Sequence, residues 1–97
     1  HGQLNETKSN VVWVFHALTA NQNPFEWWPG LFGENDFFND REYFIVCANV
    51  LGGCYGSTGP NSKHLPSHLQ LGNFPLLTLR DIVKAHQLNL VIDQLNF

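Results

Sequence analysis

Short apolar runs alternate along this chain with long polar or glycine-rich stretches, and the run lengths indicate their structure. Val11-Val12-Trp13-Val14-Phe15 is a continuous run of β-branched and aromatic residues, preceded by Ser9-Asn10 and followed by His16. Tyr43-Phe44-Ile45-Val46-Cys47-Ala48 is a second, opened by Asp40-Arg41-Glu42 and closed by Asn49. Short runs without alternation are the pattern of strands buried on both faces. No hairpin turn joins them, and residues 17–42 are long enough for a crossover, which favours parallel pairing. Inside the crossover, Phe25, Trp27, Trp28, Leu31 and Phe32 predict a short helix over 24–32 whose aromatics pack on the sheet. Pro24 suits its first turn, and Gly30 or Gly33 its end.

Residues 49–73 hold Gly52, Gly53, Gly56, Gly59 and Gly72 with Pro60 and Pro66, a density of breakers that predicts loop. Beyond it, Leu79, Ile82, Val83, Leu88, Leu90, Val91, Ile92 and Leu95 recur at steps of three and four. They predict a helix over 79–95. Thr78 is its N-cap, Asp81 completes an approximate capping box, and Pro75 stays outside. Asn96-Phe97 leads toward a further strand. Strand, crossover, strand, loop and helix together define an α/β chain with a parallel sheet.

Composition narrows the possibilities. The 97 residues give room for one small domain, and 43% apolar against 13% charged residues is the reverse of a disordered chain. Eight Phe and three Trp would bury more surface than a chain this short requires, so a piece of a larger protein is expected. A start at His1 rather than Met fits that expectation. Net charge is −3, and the cations Lys8, Arg41, Lys63, Arg80 and Lys84 are scattered, which leaves no nucleic-acid footprint. No apolar run approaches the roughly 20 residues that span a bilayer, and residues 1–10 lack the apolar core of a signal peptide. Cys47 and Cys54 make no disulfide framework; buried reduced thiols are expected, which favours a reducing cytoplasm.

Candidate chemistry lies just after each strand. In parallel sheets ligands bind beyond the carboxyl ends of the strands, where His16-Ala17-Leu18-Thr19 falls. A tight loop there exposes backbone N–H groups that can stabilise a developing oxyanion. Alternatively, His16 simply hydrogen-bonds to the loop and ends the strand. After the second strand comes Asn49-Val50-Leu51-Gly52-Gly53-Cys54-Tyr55-Gly56-Ser57-Thr58-Gly59-Pro60. It lacks the Gly-Lys-Ser/Thr ending of a phosphate-binding loop, and no helix opens within it as a dinucleotide site requires. A shaped loop whose glycines allow close backbone approach remains. Ser57 does not fit the Gly-x-Ser-x-Gly elbow, because Tyr55 stands two residues before it, and it is read as structural. His64 and His68 have the spacing of a helical metal pair, but Pro66 lies between them and no further ligands cluster nearby. His86 is expected at the surface or boundary of the helix. Cys47, on a buried strand, is a poor nucleophile.

Three segments together resemble the homoserine O-acetyltransferase family. They are His16-Ala17-Leu18-Thr19, the block from Asn49 to Pro60, and Phe74-Pro75 through Thr78-Leu79-Arg80-Asp81-Ile82-Val83-Lys84-Ala85. Trp27-Trp28-Pro29-Gly30-Leu31 and Gly2-Gln3-Leu4-Asn5 match more loosely. The resemblance implies a partial α/β-hydrolase fold over 1–97, an amino-terminal part that stops before the nucleophile elbow. It implies transfer of acetyl from acetyl-CoA to L-homoserine in methionine biosynthesis, through an acyl-serine and a Ser-His-Asp triad. The backbone N–H of Leu18 would be one oxyanion donor, with His16 and Thr19 shaping the turn. Gly52, Gly53 and Gly56 would border the substrate site. No cofactor is implied, since acetyl-CoA is a substrate, and a cytoplasmic homodimer is expected. The chain alone is expected to be inactive. Alternatives are a succinyl donor or a serine acceptor, an esterase of the same fold, and a non-catalytic binding domain.

Overall fold

Val11–Val14 (β1) and Phe44–Cys47 (β2) form a two-stranded parallel sheet. Val11 is level with Phe44 and Val14 with Cys47 in this computed structural model, which describes residues 1–92 of the backbone and side-chain surroundings through residue 88. The crossover contains Pro24–Trp27 (α1), two short 3-10 turns occupy Ser67–Leu69 and Leu71–Asn73, and Leu79–Ile92 (α2) follows. The α/β class and the parallel pairing agree with the pattern of apolar runs. Two compact units divide the chain, residues 1–49 and 50–97.

In the first unit the core is Val14, Phe32 and Ile45, with Val12, Phe25, Trp27, Leu31, Phe38, Tyr43 and Cys47 packed against it. The crossover aromatics stack in sequence: Phe32 lies 5.1 Å from Phe38, and Phe38 meets Tyr43 edge-on at 5.6 Å. Such offset and edge contacts match negative ring faces to positive edges. Both strands are shorter than their apolar runs. Phe15 lies beyond the last ladder pair and is half exposed, and the Tyr43 N–H is spent on the Asn39 carbonyl at 3.1 Å, closing a turn before β2. Burial on both faces is also narrower than expected: within the strands only Val14 and Ile45 are buried.

The aromatic helix ends earlier than 24–32. Trp28 N–H bonds to the Pro24 carbonyl at 2.9 Å, and Trp28 then leaves helical geometry (φ −130°, ψ 56°). Pro29 explains the stop, because a following proline ring crowds the preceding residue out of the helical region. The glycines at 30 and 33 are not the terminator.

β2 has a partner on its other side as well. Ile45 donates its N–H to the His1 carbonyl, and the terminal amine of His1 donates to the Ile45 carbonyl, both at 2.8 Å. Asn10 Nδ2 donates to the Gln3 and Glu42 carbonyls at 2.8 and 3.1 Å, which holds the polar start of the chain in place.

In the second unit, α2 begins where the capping pattern predicts. Its expected residues 93–95, and the onset of a strand at Asn96-Phe97, lie outside the described residues. His86 is a correction: it is buried at 3% exposure, not at the surface. It shares a helix face with the half-buried Ile82 and Ala85, while Leu79, Val83 and Leu88 are exposed. The inward stripe therefore keeps Ile82 but continues through Ala85 and His86 instead of through Val83. Among the described residues, no helix is long and apolar enough to cross a membrane.

Candidate functional site

The turn leaving β1 is built from Ala17 to Ala20. Ala20 N–H donates to the Ala17 carbonyl at 3.0 Å, so Leu18 and Thr19 are its central residues. The same carbonyl accepts a bond from His16 Nδ1 at 2.8 Å; with a carbonyl as partner, that ring nitrogen must carry the proton. One oxygen thus fastens both the ring and the turn. Leu18 projects into solvent at 91% exposure. Among the described residues, the N–H groups of Leu18 and Thr19 make no hydrogen bond.

The outgoing limb, by contrast, is tied at almost every residue. Trp27 Nε1 donates to the Asn21 carbonyl at 2.9 Å, and Cys47 Sγ makes a longer contact to the same oxygen at 3.8 Å. Gln22 N–H donates to Asn49 Oδ1 at 3.1 Å, and Asn23 N–H to Asn21 Oδ1 at 2.9 Å. Two unspent amides therefore sit at the apex of a turn whose flanks are fixed, at the carboxyl end of a parallel strand. Amides fixed before charge develops need no reorganisation when it does.

Asn49 and Trp27 were not singled out for this role in the sequence. In the sequence Asn49 closes a strand and opens the glycine block; the signal for its role is a side-chain amide directly after an apolar run, where strand-end backbone groups need partners.

The glycine loop of the second unit forms an open pocket of about 320 Å³ lined by Gly52, Gly53, Cys54, Ser57 and Gly59 with Pro60, Asn61 and Ser62. Gly52 and Gly56 have φ of +76° and +62°, which L side chains rarely adopt. Gly56 belongs to the loop but not to the lining. Ser57 Oγ accepts from Gly52 N–H at 3.0 Å and donates to the Thr58 carbonyl at 3.3 Å, a loop-shaping role as its sequence context indicated.

The thiols differ from expectation. Cys47 is half-buried and its pKa is raised by burial, which disfavours the thiolate, but Cys54 is exposed because its loop offers nothing to cover it. The His64 ring is hydrogen-bonded to Thr58 Oγ1 at 3.2 Å, and His68 is exposed. Among the described residues, no three His, Cys, Asp or Glu side chains are grouped to hold a metal ion.

A parallel β–helix–β unit, with two unbonded amides in the turn past its first strand, defines an α/β chain. The sequence relationships narrow that class. The chain is 56% identical over 86 residues to the homoserine O-acetyltransferase of Cyclobacterium marinum, covering 87% of this chain and 24% of that protein. It is 50% identical over 88 residues to that of Chlorobaculum parvum (90% and 25%) and 40% identical over 98 residues to that of Mesorhizobium japonicum (91% and 25%). No protein-family model matches the sequence. Over the aligned residues the chain is homologous to homoserine O-acetyltransferases, and it spans about a quarter of the length of the curated relatives it matches.

Proposed function

We propose that the protein to which these residues belong is an O-acyltransferase that moves acetyl from acetyl-CoA to the hydroxyl of L-homoserine. The observation that carries this reading is the pair of unbonded amides at Leu18 and Thr19 on a turn fixed at both flanks, in a chain 56% identical to a homoserine O-acetyltransferase. In the proposed chemistry a serine hydroxyl adds to the thioester carbonyl, whose oxygen takes the negative charge. Collapse expels CoA as thiolate, which takes a proton, and leaves an acyl-serine. The hydroxyl of homoserine then attacks that ester, giving its proton to a base. The second oxyanion collapses to O-acetylhomoserine, breaking the bond to the serine oxygen, which takes the proton back. Leu18 N–H donates to both oxyanions, with His16 and Thr19 setting the shape of the turn.

The nucleophile and its His and Asp partners belong, on this reading, to other parts of an α/β-hydrolase domain that includes residues 1–97. Gly52, Gly53 and Gly56 are proposed to border substrate; Gly52 and Gly53 line the pocket in their loop, and the positive φ of Gly56 helps shape that loop. Acetyl-CoA is consumed as a substrate and no cofactor is required. A cytoplasmic homodimer engaged in methionine biosynthesis accompanies this assignment.

The test is an assay of the full-length protein with homoserine and acetyl-CoA, following thiol release. Replacing the Leu18 amide by an ester removes the N–H and keeps the side chain. We expect kcat to fall by about 100-fold or more. Unchanged kcat would remove Leu18 from the site; preference for succinyl-CoA or serine would redirect the substrate assignment.

A further inference from the structure

We infer that Asn49 is a positioning residue for the Leu18 amide, an inference that rests on the acyl-transfer reading above. Asn49 lies two residues past the end of β2, and the parallel ladder sets Val14 level with Cys47, so both strands finish at the same edge. From there Asn49 Oδ1 accepts the N–H of Gln22, 27 residues earlier, on the limb that leaves the turn.

The other bonds on that limb differ in origin. Asn23 N–H to Asn21 Oδ1 is internal and moves with the segment, and Trp27 Nε1 to the Asn21 carbonyl comes from α1. From the β2 side come the Asn49 bond and the 3.8 Å contact of Cys47 Sγ. A thiol is a weak donor and that distance is long, so Asn49 supplies the firm link between limb and sheet. Without it the turn remains hydrogen-bonded within itself and joined to β1, but its outgoing limb loses its firmest hydrogen bond to the β2 side. An oxyanion donor displaced by about 1 Å loses much of its effect while ground-state substrate binding is little altered.

Two substitutions separate this role from simple folding support. Asn49→Leu keeps the branched heavy-atom skeleton and removes the acceptor; Asn49→Asp keeps the acceptor. In the full-length protein, the burst of CoA release from acetyl-CoA reports both the fraction of competent sites (amplitude) and the rate of acyl-enzyme formation at each. Asn49→Leu is expected to slow the burst by about tenfold at unchanged amplitude and unchanged KM for homoserine. Asn49→Asp should stay within about threefold of wild type.

A wild-type burst rate in Asn49→Leu overturns the inference, as do equal losses in both variants or a loss of amplitude alone. Should Asn49→Leu not fold, amide exchange at Gln22 in the unsubstituted protein decides: protection supports the link, and exchange at the rate of a free amide refutes it. A wild-type protein that turns over but whose variants behave identically defeats only the role of Asn49. A wild-type protein without any acyl transfer defeats the functional reading itself, and this inference with it.

Discussion

Thr78 and Asp81 answer each other's free groups at the start of α2. Thr78 N–H donates to Asp81 Oδ2 at 2.9 Å, Asp81 N–H donates to Thr78 Oγ1 at 3.2 Å, and that hydroxyl donates to the carboxylate at 2.8 Å. The arrangement is a capping box with Asp in the place more often held by Glu. The Thr78 backbone N–H holds the Asp81 carboxyl below the usual carboxylate range, helped by the Thr78 hydroxyl and by Lys84. Since the folded value lies below the unfolded one, the stabilisation is full above the ordinary Asp range. It is lost as pH falls through the folded value. Acidification below about pH 4 should therefore fray the start of α2. NMR titration of the Asp81 carboxyl checks the prediction; a midpoint at the free-Asp value would contradict it, and Asp81→Asn should abolish the dependence.

Gly2 is expected to resist substitution. Its φ is +81°, and a methyl group there would be driven into the Tyr43 carbonyl oxygen, with the Asp40 carbonyl beside it. Gly2→Ala should cost at least about 1–2 kcal/mol from backbone geometry alone, before any clash is relieved. Equilibrium denaturant unfolding measures the loss, and an unchanged midpoint would show that the start of the chain does not pack as described.

Ile45 is the most buried core side chain of the first unit, at 1% exposure. Ile45→Ala should destabilise by about 3 kcal/mol and Ile45→Val by about 1 kcal/mol, the first change leaving a cavity that Val14 and Phe32 cannot fill. Similar values for the two substitutions would place Ile45 outside a close-packed environment.

The two thiols should be chemically distinct. Cys54 is exposed, whereas Cys47 is half-buried with its pKa raised by burial. Alkylation proceeds through the thiolate, so iodoacetamide at neutral pH should modify Cys54 at least about tenfold faster than Cys47. Peptide mapping by mass spectrometry gives both rates, and equal rates would be inconsistent with the burial of Cys47.

The 97-residue chain contains no Gly-x-Ser-x-Gly elbow, and the hydroxyl of Ser57 is engaged within its own loop. By itself it should not hydrolyse an activated acetyl ester above the buffer rate. Hydrolysis that disappears in Ser57→Ala would assign that serine a reactivity its surroundings do not suggest.

Much of the fold was legible where local chemistry decides it. The β-branched runs mark both strands, the long connection over residues 17–42 indicates their parallel sense, and Thr78 with Asp81 marks the start of α2. The limits of elements depended on neighbours that a periodic pattern does not register. Trp28 ends α1 because Pro29 follows it, and Tyr43 is lost to β2 because Asn39 claims its N–H. The place of His86 is not legible in the apolar spacing: of the positions that define the helix, Ile82 is half-buried but Leu79, Val83 and Leu88 are exposed, and the buried face passes through His86. Within the candidate site, the place of the turn after β1 could be read in advance. The bond from Gln22 to Asn49 could not, since it joins residues 27 apart whose meeting depends on the ladder between them.

The double exchange between His1 and Ile45 bears on how β2 is threaded. Phe44 directs its amide to Asn10 on the β1 side, while Ile45, the very next residue, directs its own to His1 on the opposite side. Sliding β2 by one position would turn each amide away from its acceptor, so both margins would come undone together, and Ile45 would swing out of the interior as well. Two-sided fastening of this kind permits a single threading, and so it fixes how far Asn49 extends past the ends of the strands.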